Sequence, residues 1–187
     1  DFYRVPDREP RPHRLHLDVF GGDRRDELVQ VALDAGAVHL DVGQGDVPWV
    51  VLGDPEDAAF RVMPQRRWYR DTGPIAGIPI DADDVPAANA FWREAFDWVA
   101  DDENIFRHPS GYGPLIAFTE PVEPKRGKNP MHLDLRVAPG QDYEAELARL
   151  LGLGARRLQH NWGELNWTVL VDPGNNEFCL LRPITAG

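Results

Sequence analysis

Two short stretches decide the fold of this chain, because they open and close its most strongly marked unit. They read Met131-His132-Leu133-Asp134-Leu135-Arg136-Val137 and Asp172-Pro173-Gly174-Asn175-Asn176-Glu177-Phe178-Cys179-Leu180-Leu181. The first stretch alternates polar and apolar residues, which is typical of a strand with one buried face. The second stretch is a tight turn followed by an apolar strand. Between them the pattern predicts a helix over Asp142–Leu151 and two further strands, so the whole is a β-α-β-β-β unit.

The segment from Leu15 to Met63 repeats this layout. When His16 is aligned on His132, Gly36-Ala37 falls on Gly154-Ala155, Trp49 on Trp167, and Asp54-Pro55 on Asp172-Pro173. Matches between residues of such different chemistry indicate a true internal repeat. A middle unit, more weakly marked, spans Ile75–Thr119. The piece Phe2–Val5 matches the strand that precedes the third unit, which predicts that the chain begins with the last strand of a further unit whose remainder is absent.

Composition restricts the possible partners. The chain has 187 residues, of which 42% are hydrophobic and 27% charged, as expected for a folded globular protein. Its formal net charge of -11 argues against nucleic acid or an anionic membrane surface as a partner. The single cysteine, Cys179, cannot form an internal disulfide, and no apolar run approaches the ~20 residues of a membrane span. We therefore expect a cytoplasmic protein with a small-molecule ligand.

The repeated units, the His-Leu-Asp-Leu strand and the closing Asp-Pro-Gly-Asn-Asn-Glu-Phe-Cys resemble the vicinal oxygen chelate superfamily. Glyoxalase I, extradiol dioxygenases and bleomycin-resistance proteins belong to it, and the chain is most similar to its glyoxalase-like domains. The resemblance implies an α+β fold in which βαβββ units pair into an incomplete β-barrel with helices on the outside. Because consecutive units usually pair in that superfamily, we divide the chain into residues 1–72, one unit preceded by the possibly truncated strand, and residues 73–187, two paired units.

The resemblance also implies that the residues holding a metal lie at the start of each unit's first strand and in each unit's last strand. His132 and Glu177 are then neighbours on the cavity wall, and His16 completes a two-histidine, one-carboxylate set if the first unit faces the third. Glu177 is also the candidate catalytic carboxylate. Asp134, Arg136 and Cys179 share the cavity face by strand alternation, and Trp162, which has no counterpart in the first unit, is the candidate aromatic contact for the ligand.

Structural roles compete with each of these assignments. Either histidine is equally well explained by a hydrogen bond to a neighbouring strand, and Glu177 by a turn that donates backbone amides to its carboxylate. The second unit offers Gly77 where a histidine belongs, so a pairing of the second and third units leaves two protein ligands, fewer than a stable site commonly has. Cys179 has no evident basic partner and is best explained as a buried, inert thiol.

Three functions follow. The first is a binding protein of the bleomycin-resistance type that holds a small, partly aromatic or cationic molecule. The alternative is a metal-dependent lyase or extradiol-type dioxygenase, in which one divalent iron, manganese, nickel or zinc ion chelates vicinal oxygens of the substrate. The third is an oligomer, with a homodimer as the simplest form, in which another chain completes the barrel of an unpaired unit.

Overall fold

The computed structural model describes residues 13–96, 98–101 and 105–184. The strand expected at Phe2–Val5 lies outside these residues. The described chain forms three β-α-β-β-β units, so the predicted α+β class and the predicted repeat are confirmed. None of the described helices is long and apolar enough to cross a bilayer.

The first unit follows the predicted order. It comprises β1 (Leu17–Phe20), α1 (Arg25–Asp34), β2 (Val38–His39), β3 (Val50–Gly53) and β4 (Ala59–Met63). The apolar side of α1 packs on Leu52 and Val62 of the sheet. Helix α1 is followed by Gly36, whose φ of 101° is in the left-handed region that glycine adopts without a steric penalty.

The second and third units repeat this order. The second comprises β5 (Ile75–Asp81), α2 (Val85–Ala95), β6 (Val99–Ala100), β7 (Phe106–Arg107) and β8 (Leu115–Thr119). The third comprises β9 (Leu133–Arg136), α3 (Tyr143–Gly152), β10 (Arg156–Arg157), β11 (Trp167–Val171) and β12 (Glu177–Leu181). Both helices begin after an aspartate whose carboxylate accepts a backbone amide, Asp84 in one and Asp142 in the other.

The first and third units share the same strand register. Leu17 lies opposite Phe60 and Asp18 opposite Arg61 in the parallel pair β1–β4. In the parallel pair β9–β12, Leu133 lies opposite Phe178 and Asp134 opposite Cys179. The first and third units therefore repeat the same strand pairing as well as the same sequence pattern.

A sheet joins the first unit to the second. Strands β1 and β5 pair antiparallel, so the first and second units form one open eight-stranded sheet in the order β2-β3-β4-β1-β5-β8-β7-β6. This sheet runs across the division expected at residue 72. The third unit has its own four-stranded sheet, in the order β10-β11-β12-β9.

The second and third units are joined through their cores. They bury their helix-bearing faces against each other in the largest core, where Phe91 and Trp92 of α2 meet Phe178 of β12. The side chain of Trp92 also donates a 2.7 Å hydrogen bond from Nε1 to Asp172 Oδ2. With these faces buried, the opposite, concave faces of the two units point away from each other.

Candidate functional site

Three potential metal ligands meet on the concave face of the third unit. Cys179 lies opposite Asp134 in the β9–β12 register, and His132 directly precedes β9. His132 Nε2 is 3.3 Å from Cys179 Sγ and 3.3 Å from Asp134 Oδ1. All three donor atoms lie within 4.8 Å of one another, and they form the one such group found among the described residues. His16 and Glu177 are not part of it.

Burial keeps two of these groups uncharged at neutral pH. Desolvation by burial, with the negative charge of Asp134 second, raises the pKa of Cys179 to about 12. Desolvation by burial and then the positive charge of Lys128 lower the pKa of His132, although Asp134 and Glu177 act in the opposite direction. The thiol is therefore protonated and a poor nucleophile, whereas the neutral imidazole is ready to accept a metal.

The donor set fits a transition metal. Tetrahedral zinc with Zn–S near ~2.3 Å and Zn–N near ~2.0 Å separates sulfur and nitrogen by about 3.5 Å, close to the 3.3 Å between Cys179 and His132. A thiolate, an imidazole and a carboxylate suit zinc or iron far better than magnesium or calcium. Asp134 is exposed, so further positions around the group are accessible. Metal binding would have to displace the thiol proton, which weakens affinity at neutral pH.

Glu177 is adjacent to this group but bonded elsewhere. Its buried carboxylate forms a 2.7 Å ion pair with Lys125 and accepts the backbone amide of Asn129 at 3.2 Å. Burial alone would raise its pKa, but these bonds outweigh burial and lower it. The carboxylate therefore fastens the segment before the third unit to β12. The predicted metal and catalytic roles of Glu177 remain predictions, and they would require the Lys125 contact to break.

His16 is located in a different environment from His132. Its Nε2 is buried and has no hydrogen-bond partner. Desolvation by burial and then the charge of Arg61 lower its pKa to about 4. The described residues place no group of metal-binding donor atoms around His16. Its role as a metal ligand therefore stays a prediction.

In the first unit an ion pair replaces the Asp134–Cys179 pair. Arg61, which is at the position of Cys179, donates to both carboxylate oxygens of Asp18 at 2.6 and 2.9 Å. Tyr69 OH donates a third bond to Asp18 at 3.0 Å. A guanidinium at this position repels a divalent cation, so Asp18 and Arg61 do not form a counterpart of the His132–Asp134–Cys179 group.

The connector of residues 64–74 fills much of that concave face. Tyr69 is buried against Met63, Ala76 and Leu115, with Trp49 and Trp68 packed beside it. Trp49 therefore belongs to a covered surface. Its repeat partner Trp167 is 37% exposed on the third unit, although Val169, Val171 and Cys179 on the same face are buried.

The two remaining predicted ligand contacts, Trp162 and Arg136, are exposed residues of the third unit. Trp162 is half exposed, stacks on His160 at a centroid distance of 4.8 Å, and has Lys128 Nζ 5.7 Å from its ring centroid. Arg136 is exposed and donates a hydrogen bond to the carbonyl of Arg182. Their roles in ligand binding remain predictions.

A cavity of about 260 Å³ lies between the connector and the second unit. Its lining residues come from the connector, from β6, β7 and β8, and from the segments next to these strands: Trp68, Val99, Asp101, Ile105, Arg107, His108, Pro109, Gly111 and Leu115. By contrast, the space between the second and third units near Met131 is about 10 Å³, which is room for one water at most.

Sequence reasoning missed this cavity. Its walls combine the connector with strands of the second unit, and this contact between separate segments has no local sequence pattern. The signal was the density of aromatic and arginine side chains in a connector, a composition unusual for a solvated loop.

The family model described as "Glyoxalase-like domain" matches residues 1–63 and 77–181 of this chain. No curated protein matches the sequence. Glyoxalase I from Zea mays is similar in fold at 14% identity and a TM-score of 0.59, with 89% of this chain and 66% of that chain covered. A putative dioxygenase from Bacillus subtilis is similar at 11% identity and a TM-score of 0.55, with 90% of this chain and 60% of that chain covered. The chain thus spans less than two thirds of either structure.

Proposed function

The chain belongs to the glyoxalase-like domain family, and from this premise we propose that it binds a small organic molecule in the cavity beside the connector. The observation that carries the proposal is the cavity of about 260 Å³ on the concave face of the joined sheet. Ligand pockets run from about 300 to 1,000 Å³, so this one suits a small ligand. We expect a ligand of one or two rings.

The chemistry of the walls supports a partly aromatic ligand. Trp68, Ile105 and Leu115 give the cavity an apolar surface. The His108 ring lies at the rim, held against Trp98 and bonded through Nδ1 to Ser110. An apolar wall with a few fixed polar groups is the usual composition of a ligand site.

The wall is rigid on its polar side. Arg107 donates hydrogen bonds to the carbonyls of Trp68, Arg70 and Gly111, at distances between 2.6 and 3.2 Å. Its guanidinium thus ties the connector to the turn after β7. A wall held in this way is formed before the ligand arrives, which lowers the entropic cost of binding.

A bulky residue at the rim tests this proposal. Val99 lines the cavity and is 66% exposed, so Val99→Trp fills the entrance without disturbing a core. We expect the affinity for Nile red, an uncharged fluorescent probe of apolar sites, to fall about tenfold or more. Val122→Trp, a change of the same size at an 87% exposed position, should leave the affinity unchanged. Equal binding by wild type and Val99→Trp would contradict the proposal.

The His132–Asp134–Cys179 group favours a second candidate, a metal-dependent lyase or dioxygenase. A divalent ion held there would polarise oxygen atoms of a bound substrate. In the chain itself, His132, Asp134 and Cys179 would hold the ion, and the exposed side chains of Trp167 and Trp162 would contact the organic part of the substrate. Zinc and iron suit these donors better than the manganese or nickel that the resemblance also allows.

The absorption spectrum of added Co²⁺ tests metal binding at this site directly. Cys179 is the sole cysteine, so a thiolate-to-cobalt charge-transfer band on adding Co²⁺ can arise only there. We expect the band in wild type and its loss in His132→Ala and Cys179→Ala. Elemental analysis of the purified protein is the companion measurement: one equivalent of metal that disappears in His132→Ala favours the metal-dependent function, and a metal-free protein with no cobalt band counts against it.

We also propose a cytoplasmic homodimer. Among the described strands β9 pairs with β12 alone, whereas its repeat partner β1 pairs on both edges, so β9 is a place where a second copy could add its own β9. The buried, unpaired thiol of Cys179 suits a reducing compartment. Light scattering at several concentrations tests the assembly, and a strict monomer would contradict it.

A further inference from the structure

Four aromatic–cation contacts link five side chains of the first unit and the connector. We call this set the arginine–tryptophan ladder, and its members in order are Arg61, Trp49, Arg66, Trp68 and Arg67. The guanidinium carbons lie 5.4 to 5.7 Å from the neighbouring ring centroids, within the range of cation–π attraction.

The members of the ladder differ in how their charge is compensated. Arg61 is paired with Asp18. Arg66 makes no side-chain hydrogen bond or ion pair with any residue between 13 and 184 that the structure describes, and its Nε is buried without a partner. Arg67, exposed beside Trp68, likewise lacks an acidic partner within the described ranges.

The guanidinium of Arg66 therefore has charged N–H donors without a hydrogen-bond acceptor in the described chain. A buried N–H with no partner loses its hydration and gains nothing in return. Trp49 and Trp68 fix the guanidinium of Arg66 in place, so the group is ordered before any ligand binds. We propose that Arg66, supported by Arg67, is a binding site for the carboxylate of a planar organic acid.

The ligand class follows from the geometry of the groups. Adjacent N–H groups of a guanidinium match the two oxygens of a carboxylate, and Trp68, which also lines the cavity, offers an apolar surface to a flat ligand. The net charge of -11 disfavours anions at long range, but such repulsion is screened beyond about 8 Å at physiological salt. The direct contact with two arginines therefore outweighs it.

Benzoate is the probe, and benzamide is its uncharged counterpart of the same shape. We expect wild-type protein to bind benzoate about tenfold or more tightly than benzamide in calorimetric titrations, because charge-assisted hydrogen bonds are the stronger ones. Arg66→Gln and Arg66→Lys should both lose this preference, since lysine keeps the charge but not the fork. Arg126→Gln removes a charge from an exposed pair with Glu123 and should bind benzoate like wild type.

Each other outcome counts against the site. Equal affinity for benzoate and benzamide, or an unchanged preference in both Arg66 variants, overturns the proposal. Inorganic phosphate that binds as tightly as benzoate overturns the assignment to a planar acid. Benzoate binding that disappears in Val99→Trp would place the ligand in the cavity and not at Arg66, so this result is separable from the test of the cavity itself.

Discussion

Glu177 and Cys179 are two positions apart on β12, yet their side chains have different neighbours. Glu177 contacts Lys125 and Asn129 from the segment before the third unit, whereas Cys179 contacts His132. The difference arises because the incoming chain crosses the start of β12 before it reaches β9. One strand face thus carries a structural carboxylate at one end and a candidate metal ligand further along.

The Glu177–Lys125 pair should stabilise the fold above acidic pH. Both side chains are nearly buried, at 6% and 11% exposure. We expect Glu177→Gln to cost about 3 kcal/mol of unfolding free energy, because it leaves a buried lysine unpaired. Urea denaturation measures this cost, and Glu123→Gln, in an exposed pair, should change stability by less than about 1 kcal/mol.

The same pair predicts a pH dependence of stability. The pKa of Glu177 is lowered from 4.5 in the folded protein, so its contribution is complete above pH 4.5 and is lost as the pH falls from there through the folded pKa. We expect wild type to lose stability on acidification more steeply than Glu177→Gln. Parallel acid titrations of the two proteins would contradict this assignment.

For single residues, the sequence predicted which face of a strand a side chain occupies better than it predicted which residues that side chain contacts. Strand alternation correctly put the apolar residues Leu133 and Leu135 against the core and the polar residues on the other face. It could not show that Cys179 lies opposite Asp134, because that depends on the register between strands more than forty residues apart. Nor could it show that Lys125 neutralises Glu177.

Among the elements, the connector of residues 64–74 has the largest effect on the site. It places Tyr69 inside the concave face, where desolvation by burial and then the charge of Asp18 raise the pKa of the phenol well above its usual value. The hydroxyl donates to Asp18, which Arg61 also holds. The connector thus closes a space that a ligand or metal could otherwise use.

Removal of one hydroxyl should loosen the connector. Tyr69→Phe leaves the buried Asp18 with one donor fewer, and hydrogen bonds to charged groups are worth about 1.5–3 kcal/mol. We expect unfolding free energy to fall by about 2 kcal/mol. Tyr112→Phe, at a 69% exposed position, is the matched control and should be neutral. Equal stability of the two variants would mean that the Tyr69–Asp18 bond contributes nothing.

The helix of the third unit was predicted accurately. It was expected over Asp142–Leu151 and spans Tyr143–Gly152, because a periodic apolar face marks its length and Asp142 caps its start. The second unit was marked more weakly in the sequence. Two of its strands, Val99–Ala100 and Phe106–Arg107, have only two residues each, which is too short for a clear alternation of polar and apolar residues.

On the scale of the whole molecule, the second and third units share one core. Trp92 stacks near Phe118 of its own unit and contacts Phe178 of the other. It also donates to Asp172, which is 2% exposed and bonded to the Asn176 amide. These contacts predict that the two units unfold together.

Trp92→Phe tests this cooperativity. The change removes a buried ring and leaves Asp172 Oδ2 without its donor, at a cost of about 3 kcal/mol. We expect a single unfolding transition in wild type and variant, at lower denaturant in the variant, with fluorescence and far-ultraviolet circular dichroism coinciding. Two separated transitions would show that the units are energetically independent.

The pairing of units was the feature that sequence reasoning could not reach. Each unit has an apolar helix side and a mixed concave side, so any two of them are compatible in pattern. The choice depends on contacts between distant segments, such as the buried guanidinium of Arg14, which bonds to the carbonyls of Asp81 and Gly174. No local periodicity encodes such a contact.

The shared register gives the chain an internal reference for experiments. β1 and β9 have matching partners, Asp18 with Arg61 and Asp134 with Cys179, but β1 is flanked on both sides and β9 on one among the described strands. Amide hydrogens along the outer edge of β9 should therefore exchange with deuterium faster than those of β1. The ratio of the exchange rate in β9 to that in β1, measured in a single sample, reports whether a ligand or a second chain has covered the third unit. This measurement needs no separate unliganded preparation.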